Sequence, residues 1–231
     1  MQPASPRQLF APGLRRRTIL ATVPWFLMDI CLYGVGIFTP TILAILHLAG
    51  KGDLVSKDLA SSEGAAFLDL FLIVGFGVAL LLVERVGRIR LQVLGFAGVA
   101  AGMALLTGTA LTGTSDSAKA VVFLGFAIFN FSVNMGPNAT TFLLPAELFP
   151  TSLRATGHGM SAACGKAGAA VGILILPLLL SGVGVGVTLL IVTVAALLGL
   201  AVTVLFGVDT RGDLPDTPTG EPAGANGAAA G

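Results

Sequence analysis

Charge is what this sequence has least of. Asp, Glu, Lys and Arg make up 11% of its 231 residues and leave a net +1 at pH 7, well below the roughly one quarter usual in soluble domains. So little charge argues against life in water, and no nucleic-acid partner is expected. Cysteine is nearly absent too: Cys31 and Cys164 both fall in apolar runs, where they act as small apolar side chains, so a disulfide framework is not expected. No His/Cys grouping has metal-ligand spacing, and no Ser/His/Asp set or phosphate-cradling loop is present. Accordingly no metal, cofactor or enzyme chemistry is expected.

Hydrocarbon fills the space that charge leaves. Apolar residues are 55% of the chain and mean hydropathy is +0.92, a composition that belongs in a lipid bilayer. A bilayer core about 30 Å thick takes roughly 20 apolar residues per helical crossing. Six such stretches are predicted near residues 18–46, 64–84, 88–112, 120–144, 154–181 and 183–207. The crossings must be helices, because unpaired backbone groups cannot face hydrocarbon. Glycine occurs 31 times and recurs at small-xxx-small spacing, as at Gly168 and Gly172, which suits close helix contact in lipid.

Residues 1–17 read as a basic cytoplasmic lead-in, 18–207 as a six-helix transmembrane body, and 208–231, rich in Pro, Gly and Ala, as a disordered cytoplasmic tail. Between the first two helices, 47–63 reads as a polar connection. The basic residues divide unevenly between the two sides. Arg7, Arg15, Arg16, Arg17, Arg85, Arg88, Arg90, Arg154 and Arg211 share the side of the N-terminus, against Lys51, Lys57 and Lys119 on the other. That bias puts both termini in the cytoplasm. "GLRRRTILATVPWF" lacks a small-residue cleavage site, so no signal peptide is expected, and the chain reads as integral to a plasma (inner) membrane.

Two ionisable residues interrupt the apolar runs: Asp29 in "VPWFLMDICLYG" and Lys166 in "SAACGKAGAAVG". Each costs roughly 2.5 to 3.5 kcal/mol near the bilayer centre, so each needs a partner, a wet cavity or a function. Asp29 follows Arg17, and Lys166 follows Arg154, by the same sequence distance, which at 1.5 Å per residue puts both about 18 Å inward. Trp25, Asp29 and Tyr33 are spaced four apart and form one stripe on one helix face; they include the only Trp and the only Tyr. The plainer alternative makes Trp25 and Tyr33 interfacial belt residues and Asp29–Lys166 a structural pair, but that depth is wrong for a belt, and apolar residues could replace such a pair. His158 reads as a helix-end residue, Asp69 as reaching toward headgroups, and Glu147 as pairing with a nearby Arg at the cytoplasmic edge.

The stretch "GPNATTFLLPAELFPTSLRATGHGMSAACGKAGAAVG" (136–172) closely resembles the phosphate:proton symporters of the major facilitator superfamily. Their corresponding segments run N-T-T-T-F, P-G/A-E-x-F-P-T, R, then H-G-x-S-A-A-x-G-K-x-G-A. "WFLMDICLYG" resembles that family's seventh helix, "ERVGRIRLQVLGF" its D-x-x-G-R-x-x-x-Q-x-x-G-F loop, and "VDTRGDL" is a degraded P-E-T-K-G-x-S-L. P-A-E-x-F-P-T-x-x-R alone is shared with sugar and aromatic-acid carriers, whereas W-x-x-x-D-x-x-x-Y with S-A-A-x-G-K is much more specific.

The resemblance implies an all-α membrane protein whose six helices form one half of the superfamily fold, the C-terminal half of a twelve-helix carrier. It implies phosphate binding at Trp25, Asp29, Tyr33 and Lys166, with proton coupling at Asp29. Implied partners are inorganic phosphate or a similar anion, protons, the bilayer, and either a separate N-terminal six-helix half or a second copy. The sequence departs from the family pattern at Ala146, Glu84 and Leu32, and the first six helices, with their ligands, are missing. Two other readings stay open: a sugar or organic-acid carrier of the same superfamily, and a non-transporting truncated membrane fragment.

Overall fold

The computed structural model describes residues 6–46, 54–113 and 116–208, with side chains from residue 60 and from residue 119 in the second and third stretches. The expected tail beyond 208, with Arg211, lies outside the described residues, as do Lys51 and the side chain of Lys57. Among the described residues six helical spans are long and apolar enough to cross a membrane: Pro12–Ile45, Ala60–Val86, Arg88–Thr112, Lys119–Leu148, Arg154–Gly182 and Gly184–Phe206.

Helix α1 (Pro12–Ile45) begins where a proline costs nothing, since the first helical N–H has no partner to lose. It therefore starts before the expected apolar boundary, and Arg15, Arg16 and Arg17 ride on it. Ahead of it, Pro6–Phe10 forms one 3₁₀ turn that folds back: Thr18 Oγ1 donates to the Leu9 carbonyl at 2.6 Å, and Leu9 is fully buried. Arg16 donates to the carbonyls of Leu205, Phe206 and Gly207, and Arg17 to that of Leu148. Two cations thus cap helix C-termini, where carbonyls lack intrahelical partners.

Helix α2 (Leu54–Val86) starts inside the stretch expected to be a polar connection. Its first turns carry residues too polar for an apolar window, but backbone hydrogen bonding asks only for helix formers. It ends at Gly87, whose φ of 94° is left-handed backbone that a Cβ would disfavour, so the chain reverses at once into α3 (Arg88–Thr112). The fourth crossing is composite: α4 (Asp116–Val133), a π-helical turn Asn134–Asn138 containing Pro137, then α5 (Ala139–Leu148). Helices α6 (Arg154–Gly182) and α7 (Gly184–Phe206) follow, separated by Val183.

Helix α1 lies at the centre of one face, against α6, α7 and α2, while α3 joins α4 to α7 and α2 packs on α4. The apolar core runs through Trp25, Met28, Phe96, Met103, Phe126 and Val192. The α1–α6 contact is the tightest in kind. Gly165, Gly168 and Gly172 share one face of α6; a methyl added at Gly168 would run into the Phe26 carbonyl, and one at Gly172 would sit 2.8 Å from the Ile30 carbonyl oxygen. Without those side chains the two backbones meet directly, the geometry that small residues permit in membranes.

Candidate functional site

The four residues singled out in the sequence come together along the α1–α6 seam, at different depths. Trp25 is 1% exposed and Asp29 2%, whereas Tyr33 is half-buried and Lys166 exposed. Lys166 Nζ donates to the Tyr33 hydroxyl at 3.4 Å and lies 5.1 Å from the phenol ring centroid, within cation–π range. No direct ion pair joins Lys166 to Asp29.

Two polar atoms on the same stripe of α1 have no partner: Trp25 Nε1 and Asp29 Oδ2 are both buried and unbonded. Each costs about 1 to 3 kcal/mol in such a state. Buried orphans of this kind call for an explanation such as a missing water or ligand. The indole N–H edge packs on Gly165, where any side chain would displace it.

Sequence reasoning missed two neighbours of Trp25. The Phe142 ring of α5 stacks on the indole at 4.6 Å between centroids with a tilt of 59°, and His158 meets it edge-on at 5.8 Å and 88°. His158 was readable only as a helix-end residue, yet it precedes Gly165 by two helical turns on the same face, a spacing that could have placed it here. Phe142 gave no such signal, because its direction depends on the π-turn before α5. That turn packs against α1, α2 and α3 and holds an amide pair, Asn138 Nδ2 donating to Asn134 Oδ1 at 2.7 Å.

At the cytoplasmic end expected from the charge bias, Arg88 Nε donates to Glu147 at 2.9 Å and the same guanidinium forks onto Glu84. Glu147 therefore meets an arginine, as its position suggested, and bridges α5 to α3. Asp69 is exposed on α2 within the membrane-spanning stretch. Among the described residues no three His, Cys, Asp or Glu side chains gather as a metal-holding set. Both cysteines are free, and Cys31 points its thiol at the Val192 carbonyl.

Residues 14–214 match the family model described as "Sugar (and other) transporter". The chain belongs to that family, within the major facilitator superfamily. Relatives of this transporter family include "Probable inorganic phosphate transporter 1-9" of Oryza sativa subsp. japonica, 36% identical over 200 residues, covering 80% of this chain and 34% of the rice protein. "Probable inorganic phosphate transporter 1-12" of the same plant is 36% identical over 152 residues, 64% of this chain and 28% of that one. "Repressible high-affinity phosphate permease" of Neurospora crassa is 34% identical over 151 residues, 64% and 26% of the two chains. The chain spans between about a quarter and a third of the length of these curated relatives. Six spans and this membership make it an integral membrane protein of a carrier family.

Proposed function

We propose that the chain is the C-terminal half of a proton-coupled carrier for inorganic phosphate, with Trp25, Asp29, Tyr33 and Lys166 as its share of the substrate site. The observation that carries this reading is the pair of orphaned polar atoms, an indole N–H and a carboxyl oxygen, buried on the same α1 stripe as the phenol that meets an exposed ammonium. An oxyanion answers all four: the ammonium attracts its charge, the phenol and indole donate hydrogen bonds, and the carboxyl, once protonated, donates a third.

The sign of the coupling follows from charge. An ionised Asp29 with its charge centre roughly 5 Å from that of a bound anion would repel it by about 3 kcal/mol at an effective dielectric near 20, which is on the order of a few hundredfold in affinity. Protonation removes that repulsion and adds a donor, so anion and proton bind together and leave together. The relatives' printed names speak for phosphate. Exposure of Lys166 on α6 and Asp69 on α2 supports the half-carrier reading, since neither charge is suited to lipid.

The test is uptake of radiolabelled phosphate into proteoliposomes holding this chain with an N-terminal six-helix half, under an inward proton gradient. Uptake that collapses with the gradient and withstands excess hexose supports the proposal. Uptake that hexose suppresses would move the cargo to a sugar, and uptake indifferent to the gradient would remove the proton.

A further inference from the structure

Gln92 occupies a place that the proposed site does not use. It is fully buried on α3, one turn beyond Arg88, in a part of the protein where an amide must be hydrogen-bonded at both ends. Thr203 on α7 donates its own proton to the Gly199 carbonyl at 2.7 Å, so toward Gln92 it accepts, and Nε2 donates to it at 2.9 Å. Oε1 faces α5, where the Thr140 hydroxyl donates to it at 2.7 Å. Thr140 likewise has its own i−4 carbonyl, that of Gly136, at 3.0 Å, so in either orientation the amide bridges the two threonine hydroxyls. All three residues are 0% exposed.

Thr140 and Phe142 are two residues apart on α5, so they point to nearly opposite sides of it. One side is fastened to α3 by Gln92 and, two turns on, by Glu147 meeting Arg88. The other carries Phe142, half-exposed, onto the indole of Trp25. Just before α5 the backbone is pressed onto α3, since a methyl at Gly95 would strike Pro137 and one at Gly136 would strike the Leu91 carbonyl. The π-turn keeps helical backbone, but its wider i to i+5 pairing and the donor missing at Pro137 change the rotation between α4 and α5, and contacts from α3 help to hold that rotation.

We infer that Gln92 is a positioning residue for the substrate site: by holding Thr140 it sets the rotation of α5, and through it the seating of Phe142 on Trp25. This rests on reading the Trp25 seam as the substrate site, but its effect on Trp25 can be measured without substrate. Trp25 is the only tryptophan, so its emission maximum and acrylamide quenching in the purified full chain in nanodiscs report that seating directly. Phe142→Ala sets the full size of the response, a red shift with stronger quenching.

Gln92→Leu and Thr140→Val, each retaining wild-type helicity, should produce at least half of that response. Gln92→Leu/Thr140→Val should do no more than either alone, and Thr140→Ser should restore the wild-type spectrum. If Gln92→Leu does not fold, Thr140→Val, which exchanges a hydroxyl for a methyl of similar size, decides. Unchanged Trp25 emission and quenching in the folded variants, or additive effects in the double variant, would reduce Gln92 to glue between α3 and α7 and overturn the inference. Phosphate titration of the same samples is read separately: a wild-type chain that ignores phosphate counts against the proposed function and leaves the quenching comparison standing.

Discussion

Lys166 owes its position to what its neighbours lack. Gly165 and Gly168 bring α1 so close that the Tyr33 hydroxyl lands beside the ammonium. The stripe of Trp25, Asp29 and Tyr33 was legible because residues four apart stay on one helix face. Its division into a buried pair and an accessible phenol was not, since that depends on which part of α6 covers it. Asp29→Asn keeps the shape and a donor while removing the titrating charge. In the assembled carrier it should retain phosphate exchange across the membrane but lose gradient-driven accumulation, and phosphate binding should flatten with pH. Counterflow and accumulation measured side by side decide this, and accumulation at the wild-type level would take the proton away from Asp29.

The α1–α6 contact gives a sharp contrast at the scale of elements. Gly168→Ala puts a methyl into the Phe26 carbonyl, whereas at Gly159, on the same helix, a Cβ meets nothing within 4 Å. Overpacking of this kind costs about 1 to 3 kcal/mol, while an open helical Gly→Ala change gains up to roughly 1 kcal/mol. Thermal unfolding in detergent should therefore fall for Gly168→Ala and hold or rise for Gly159→Ala; equal midpoints would mean the helices do not meet there. Apolar runs placed the spans because the bilayer demands them. They could not mark the helical turns of α2 ahead of its membrane span, nor the π-turn at Asn134–Asn138, where Pro137 withdraws a donor and the backbone re-pairs locally. The fully buried Gln92–Thr140–Thr203 set was equally invisible, since its members sit on three helices far apart in sequence.

Over the whole molecule, α2 and α6 flank α1 and both keep much of their surface outside the bundle, with 22% and 28% of their apolar windows buried against 56% for the fourth span. That surface suits a second set of helices better than lipid where it carries Asp69 and Lys166. The charge bias makes a separate prediction about orientation. In a chain freed of Cys31 and Cys164, Arg90→Cys should react with an impermeant maleimide only from the cytoplasmic face, and Thr112→Cys, at the far end of the same helix, only from outside. Reversed labelling would turn the bundle over. Six helices and their order were readable from hydropathy and motif; how they rotate about their axes was not, because rotation is decided by glycine contacts and buried hydrogen bonds between segments distant in the chain.

The most direct measurement is a phosphate titration of Trp25 fluorescence in the chain assembled with an N-terminal half, comparing wild type with Lys166→Ala. A saturable change that hexose does not produce, weakened about tenfold or more by the loss of the ammonium (about 1.4 kcal/mol), is the predicted result. A Lys166→Ala curve that overlays the wild type would contradict the account.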